Sequence, residues 1–257
     1  MRLGIVPFMN LKPLIGRYER MANPPVELVS RPPSQLYPLL ERGEVDASFV
    51  ASVDYLRHGD RVHLVDRFGV AARGSVASVL LLCRKPLEDV REILVDARSS
   101  TSVAMLRVLL HHKFRLPIPL VRGDVTGSPE AEALLVIGDR ALQGYSGYER
   151  IYDIGAEWTE WTGLPFIFGV WITRKSEDVP LLARLLEEGW QWTQDHWDAL
   201  IDAEAERTGL SRPLVKVYLQ ENIQYQLTPR EFEGLNHFGR LLEALAPASR
   251  ALPSESE

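Results

Sequence analysis

From its first residue to about residue 173, the chain alternates short apolar runs with amphipathic stretches. Residues 2–6, 26–29, 47–50, 63–65, 76–82 and 93–95 are compact apolar runs that predict strands. Residues 11–20 and 34–42 instead carry apolar positions at helical spacing. In the second of these, Leu36, Leu39 and Leu40 share a face, and Gly43 falls just past the end, where a helix stops in a left-handed residue. Strands spaced by helices predict a mainly parallel sheet with right-handed crossovers. The pattern then restarts: residues 102–114 form a strong helical stretch with Val103, Leu106, Leu109 and Leu110 as its buried stripe, and residues 134–137 and 166–173 predict further strands. Beyond residue 178 no strand-like run appears. Residues 181–200, 212–223 and 229–246 predict helices, and residues 247–257 a frayed tail.

Two α/β units joined by two long apolar strands imply a discontinuous, two-lobed layout. The crossings are expected near residues 80–85 and 169–174, which gives lobe one residues 1–83 and 173–257 and lobe two residues 84–172. No Pro/Gly/Ser-rich linker marks a conventional boundary, as expected if strands make the crossings.

The chain's 257 residues suffice to bury a sizeable core. A net charge of −6 with no cluster of Lys and Arg argues against nucleic acid as a partner. The single cysteine, Cys83, excludes an intrachain disulfide framework and any multi-Cys zinc site, and its place at the end of an apolar run predicts a buried, inert thiol. His111 and His112 are helix neighbours that face different directions, and His58, His63, His196 and His237 are scattered, so no metal site is expected. No apolar stretch is long enough to span a membrane, and the one at the N-terminus is too short for an export signal, so a cytoplasmic protein is expected. Gly144-Tyr145-Ser146-Gly147 lacks the spacing of a nucleophile elbow. Trp190, Trp192 and Trp197 read as packing within a long helix.

In open parallel sheets, ligands bind beyond the carboxyl ends of strands, where helix N-termini offer free N–H groups to anions. Three segments have that character. Asn10 stands where the first strand hands over to a helix; it is either an N-cap or a ligand-facing amide that can donate and accept. Ser99, Ser100, Thr101 and Ser102 open the helix of residues 102–114, and four hydroxyls exceed what one cap requires. They are either plain caps or an anion cradle, to which Arg98 would add charge unless it points to solvent. Gly138-Asp139 ends a strand of the middle unit; Gly138 permits close backbone approach, and Asp139 is an acid–base group or another cap. Residue physics alone thus reaches a binder of a small anionic molecule held between two lobes.

Several blocks carry a resemblance. Gly4-Ile5-Val6-Pro7-Phe8-Met9-Asn10-Leu11-Lys12-Pro13-Leu14 resembles the opening of the chorismate dehydratase family of the futalosine route to menaquinone. Residues 39–46 and 74–80, then Ser99-Ser100-Thr101-Ser102-Val103, residues 135–142 and Glu157-Trp158-Thr159-Glu160-Trp161-Thr162-Gly163-Leu164-Pro165-Phe166 follow in the family's order, covering roughly residues 3–175. The resemblance implies the type II periplasmic-binding-protein fold, with mixed sheets flanked by helices and a ligand cleft between lobes. It also implies a hydro-lyase that needs neither metal nor other cofactor and whose small-molecule substrate is chorismate. By motif position, Asn10 and Ser78 would touch the substrate, and Ser99, Thr101 and Ser102 would cradle a carboxylate; Ser100 stands where some relatives carry Arg. The base would be the substrate's own enolpyruvyl carboxylate held by Asn10, with Asp139 as the second candidate. The related enzyme that makes 1,4-dihydroxy-6-naphthoate and a non-catalytic carboxylate-binding protein are the alternatives.

Overall fold

The computed structural model describes residues 1–96, 99–125 and 130–245. The first apolar runs become strands β1 (Arg2–Ile5), β2 (Glu27–Ser30) and β3 (Ala47–Ala51), with helix α1 (Lys12–Glu19) after β1 and α2 (Pro33–Glu41) after β2. β1 pairs in parallel with both β2 and β3, as β–α–β connections require. Gly43 ends α2 as expected. At φ +71° its N–H bonds to the Leu40 carbonyl while Glu44 N–H reaches Leu39, so one left-handed residue satisfies two terminal carbonyls. Helix α3 (Ser52–His58) and the long strand β4 (His63–Ala72) follow.

The middle of the chain builds a second sheet from β5 (Val79–Cys83), β6 (Ile93–Val95), β7 (Leu120–Arg122), β8 (Ala133–Ile137) and β9 (Arg150–Asp153), in the order β7-β6-β8-β5-β9. Its helices are α4 (Ser100–Val108), prolonged by a π-helical turn over Leu109–Phe114, and α5 (Ile154–Thr162). Strand β10 (Phe166–Thr173) returns to the first sheet. Helices α6 (Val179–Thr208) and α7 (Arg212–Val217), strand β11 (Gln224–Gln226) and helix α8 (Pro229–Ala244) complete the described chain. The first sheet has the order β11-β4-β10-β3-β1-β2.

Three expectations are corrected. The sheets are mixed, as the resemblance implies, rather than mainly parallel, as the strand–helix alternation alone predicts, because β10 runs antiparallel to β3 and β4, and β5 antiparallel to β8 and β9. The crossings do not fall within strands at residues 80–85 and 169–174. All of β5 belongs to the second sheet and all of β10 to the first, so the chain passes between sheets at residues 73–78 and 163–165. Both strands are flanked by neighbours on each side and almost wholly buried, and a continuous apolar run is the mark of such an interior strand rather than of a connector. The expectation of no strand after residue 178 misses β11, whose glutamines lack an apolar pattern but which extends the sheet from β4. The expected tail, residues 247–257, lies outside the described residues.

The core explains much of the Trp-rich stretch at residues 157–171. Trp158, Phe166 and Trp171 are fully buried, and Trp158 meets Phe166 and Phe238 edge-on while donating through Nε1 to the Pro165 carbonyl. Cys83 is buried as expected, and burial pushes its thiol up to about 12. Helix α6 lies along α1 in a close approach. Thr193 donates to the Pro13 carbonyl, Tyr18 to that of Leu185, and a Cβ on Gly189 would fall 2.0 Å from the Leu14 oxygen.

Candidate functional site

A cavity with an empty volume of about 630 Å³, partly open to solvent, lies between the two sheets. Phe8, Phe49, Val70 and Phe168 give it apolar walls, and the polar groups converge from three places. Asn10 enters from the short 3-10 turn Met9–Leu11 that joins β1 to α1, pinned by the fully buried Met9 and Leu11 on either side. The N-cap of α1 is Leu11 rather than Asn10, and the Asn10 Oδ1 is buried at the cavity without a hydrogen-bond partner.

Ser78 ends the first crossing and is 2% exposed. It is delivered by an unusual turn: Ala77 adopts φ +58°, and Ser78 N–H bonds back to the Val76 carbonyl at 2.7 Å. The Ser78 carbonyl then accepts Gly138 N–H at 2.8 Å. Gly138 itself has φ +70°, and a Cβ there would meet the Phe8 ring at 3.0 Å, which accounts for a glycine on both counts.

The third contribution is the head of α4, where Ser99, Thr101 and Ser102 are all nearly buried and line the cavity with Ser100. The Ser99 side chain makes no capping bond, so its hydroxyl is not consumed by the helix. The Thr101 hydroxyl accepts Val53 N–H at 3.2 Å, tying the cradle to α3. The Ser100 hydroxyl interacts with Asp54, whose carboxyl is raised by burial against the opposing pull of Arg57, His58 and that hydroxyl. The structure thus brings together Asn10, Ser78, Ser99, Ser100, Thr101, Ser102 and Gly138. Arg98 lies outside the described residues.

Asp139 is placed differently. It borders a neighbouring cavity with Pro7 and Arg140. One carboxylate oxygen accepts Met9 N–H at 3.0 Å and the other pairs with Arg207 at 2.6 Å. With both oxygens engaged by β1–α1 and α6, Asp139 links the second sheet to the elements around the first. The sequence also missed Tyr218, at the start of the π-helical turn Tyr218–Asn222 that prolongs α7. Its fully buried hydroxyl lies against Ser78 and Asn10 but makes no well-formed hydrogen bond. Burial pushes this phenol above its ordinary range, the Asp139 charge adds to that, and Ser78 and Asn10 pull against it. Among the described residues, no group of three or more His, Cys, Asp or Glu is placed to hold a metal ion. None of the helices described is long and apolar enough to cross a membrane.

Solved structures show the fold. The chain superposes on a protein of Archaeoglobus fulgidus with a TM-score of 0.78 at 15% identity, over 96% of this chain and 97% of that one. It superposes on the periplasmic aliphatic sulphonate binding protein of Escherichia coli with a TM-score of 0.64 at 15% identity, over 96% and 87%. The fold is that of the periplasmic binding proteins, with the cavity between its two sheets. More narrowly, the chain belongs to the menaquinone biosynthesis family, whose sequence profile matches residues 1–244. It is 30% identical to the chorismate dehydratase of Thermus thermophilus over 93% of this chain and 94% of that protein. It is 29% identical to the 1,4-dihydroxy-6-naphthoate synthase of Streptomyces coelicolor over 71% of this chain and 65% of that protein.

Proposed function

We propose that this protein is a hydro-lyase that converts chorismate to 3-[(1-carboxyvinyl)oxy]benzoate and water in menaquinone biosynthesis, working in the cytoplasm on the cavity between its sheets. The observation that carries the reading is the convergence of Asn10, Ser78 and the hydroxyl-rich head of α4 on one largely apolar cavity, in a chain with a dehydratase relative along nearly its whole length. The longer match to that relative favours the dehydratase over the naphthoate synthase.

The chemistry asks little beyond geometry. The ring carbon bearing the enolpyruvyl ether gives up a proton, its neighbour loses hydroxide, and the electron pair left by the proton completes an aromatic ring. One water leaves, and the elimination needs no external oxidant or reductant. The driving force lies in the product, so the protein has to hold a reactive pose, accept the proton and exclude bulk water. One substrate carboxylate would lie in the cradle of Ser99, Ser100, Thr101 and Ser102, facing the free N–H groups of the first turn of α4.

Among the described residues, none of the cavity-lining side chains is Asp, Glu, His or Lys. This supports the substrate's enolpyruvyl carboxylate as the base, with the Asn10 amide donating to it and fixing its direction. Ser78 contacts the substrate beside it. Asp139, engaged by Met9 and Arg207, serves to hold Asn10's turn in place rather than to take the proton.

The test is an incubation of the purified protein with chorismate, analysed by mass spectrometry. The expected product is lighter by one water and has the ultraviolet spectrum of a substituted benzoate. Unchanged chorismate beside an active control enzyme would overturn the reading and favour a non-catalytic carboxylate-binding protein.

A further inference from the structure

The backbone that delivers Ser78 is held in a conformation it would not adopt alone. A non-glycine residue at positive φ is uncommon, and the three-residue turn closed by Ser78 N–H on the Val76 carbonyl around Ala77 is of the rarer, strained hand. Strained backbone persists only where its surroundings over-determine it. Here the determinant is one carboxylate. Asp153, at the junction of β9 and α5, accepts Val76 N–H at 3.1 Å through one oxygen, and through the other Ala77 N–H at 2.7 Å and the Ser75 hydroxyl at 2.6 Å. It also caps α5 by accepting Ala156 N–H at 3.0 Å. Neither the substrate cavity nor its neighbour is lined by Asp153.

We infer that Asp153 is a positioning residue for the reaction: its carboxylate clamps residues 75–77 in the strained turn and thereby sets the Ser78 hydroxyl, and through the Ser78 carbonyl the Gly138 backbone, at the cavity. The inference rests on the reading that Ser78 contacts the substrate. A helix cap needs one acceptor, whereas Asp153 spends three of its four hydrogen bonds on the crossing. Other anchors act on the same segment from the other side. Arg73 pairs with Glu231 at 2.7 Å, and Asn222 donates to the Ser75 carbonyl at 3.1 Å. Neither of these bonds, however, engages the N–H groups of Val76 or Ala77, which go to Asp153.

Asp153→Asn separates the two roles, because an amide keeps one acceptor oxygen for the α5 cap and turns its NH₂ towards the Ser75 and Ala77 donors. The variant is expected to fold and to lose about tenfold to a hundredfold in kcat/KM, the range spanned by loss of a hydrogen bond to a charged group. Adding Ala77→Gly, which makes positive φ unstrained, restores most of that loss; a residue serving only as a cap would not be rescued this way. In a Ser78→Ala background the same Asp153→Asn change costs less than about twofold, because its effect passes through Ser78. Amide hydrogen exchange at Ser78 and Gly138, measured without substrate, speeds up in Asp153→Asn and slows again in the double variant. Unchanged exchange, a full further loss in the Ser78→Ala background, or no rescue by Ala77→Gly would each overturn the inference. A wild-type protein that leaves chorismate unchanged would sink the functional reading instead, and exchange would still decide whether Asp153 holds the turn.

Discussion

Asn10, Ser78 and Tyr218 come from three distant parts of the chain and meet where the first two line the cavity and the third lies behind them, and their legibility in the sequence differs for physical reasons. The run from Ser99 to Ser102 could be read because four hydroxyls are more than a helix start needs. Asn10 looked equally like a cap, and only the fall of the cap position on Leu11 and the unpartnered, buried Oδ1 separate the two readings. Tyr218 left no signal, since it falls on an apolar helical stripe and its neighbours are set by tertiary packing alone. Asp139 was legible as a polar strand end but not in its role, because its partners Met9 and Arg207 are 130 and 68 residues away along the chain. If the Asn10 amide orients the reacting carboxylate, Asn10→Ala should lower kcat by about a hundredfold, comparable to losing one oriented donor at a reacting centre. Tyr218→Phe, which removes only the hydroxyl behind Ser78 and Asn10, should cost about tenfold while leaving the circular dichroism spectrum unchanged. Steady-state rates followed through the benzoate product check both.

Among the elements, the long apolar strands and amphipathic helices were readable because pattern and burial agree, as in α2, with its Leu36–Leu39–Leu40 face and Gly43 stop. Short strands such as β7, β9 and β11 were not, since three or four residues are too few to carry a period, whether apolar as in β7 or largely polar as in β9 and β11, and are held by their neighbours. Helix contacts were equally hidden until the backbone approach at Gly189 was seen. A methyl group there has no room against the Leu14 carbonyl, so Gly189→Ala should destabilise the fold by about 1–3 kcal/mol in urea denaturation, the usual cost of overpacking. At the head of α8, Glu231 is fully buried. Burial acts to raise its carboxyl, but hydrogen bonds from Arg73 and from the hydroxyl and N–H of Thr228 outweigh this and leave it below the usual range. A carboxyl lowered on folding adds stability above its unfolded value and loses it as pH falls through the folded one. Glu231→Gln should therefore be less stable than the parent at pH 7 by about 1–2 kcal/mol, toward the lower end because Arg73 is half exposed. The gap should narrow as the pH falls below about 4, which paired urea titrations at the two pH values would reveal.

At the scale of the whole molecule, the two-sheet layout was legible but its seams were placed one strand too late, because a fully apolar strand looks the same whether it sits inside one sheet or leads into another. Across the cleft, the Asp139–Arg207 pair and the Met9 N–H hold the second sheet's edge of the cavity against α1 and α6. Arg207 is partly exposed, so its contribution is modest. Arg207→Gln should raise KM about threefold to tenfold with kcat within about twofold, and small-angle scattering should show a slightly larger radius of gyration. The seam between the sheets also has a consequence for how the protein is made. The strand at the heart of the first sheet, β10, lies between β4 and β3 but follows the whole second sheet in the chain. During synthesis, therefore, the middle sheet emerges complete as one uninterrupted stretch, while the N-terminal strands wait in two unjoined pieces for residues 166–173. The first sheet therefore cannot be completed until residues 166–173 have followed the entire second sheet out of the ribosome, and its edge strand β11 comes later still.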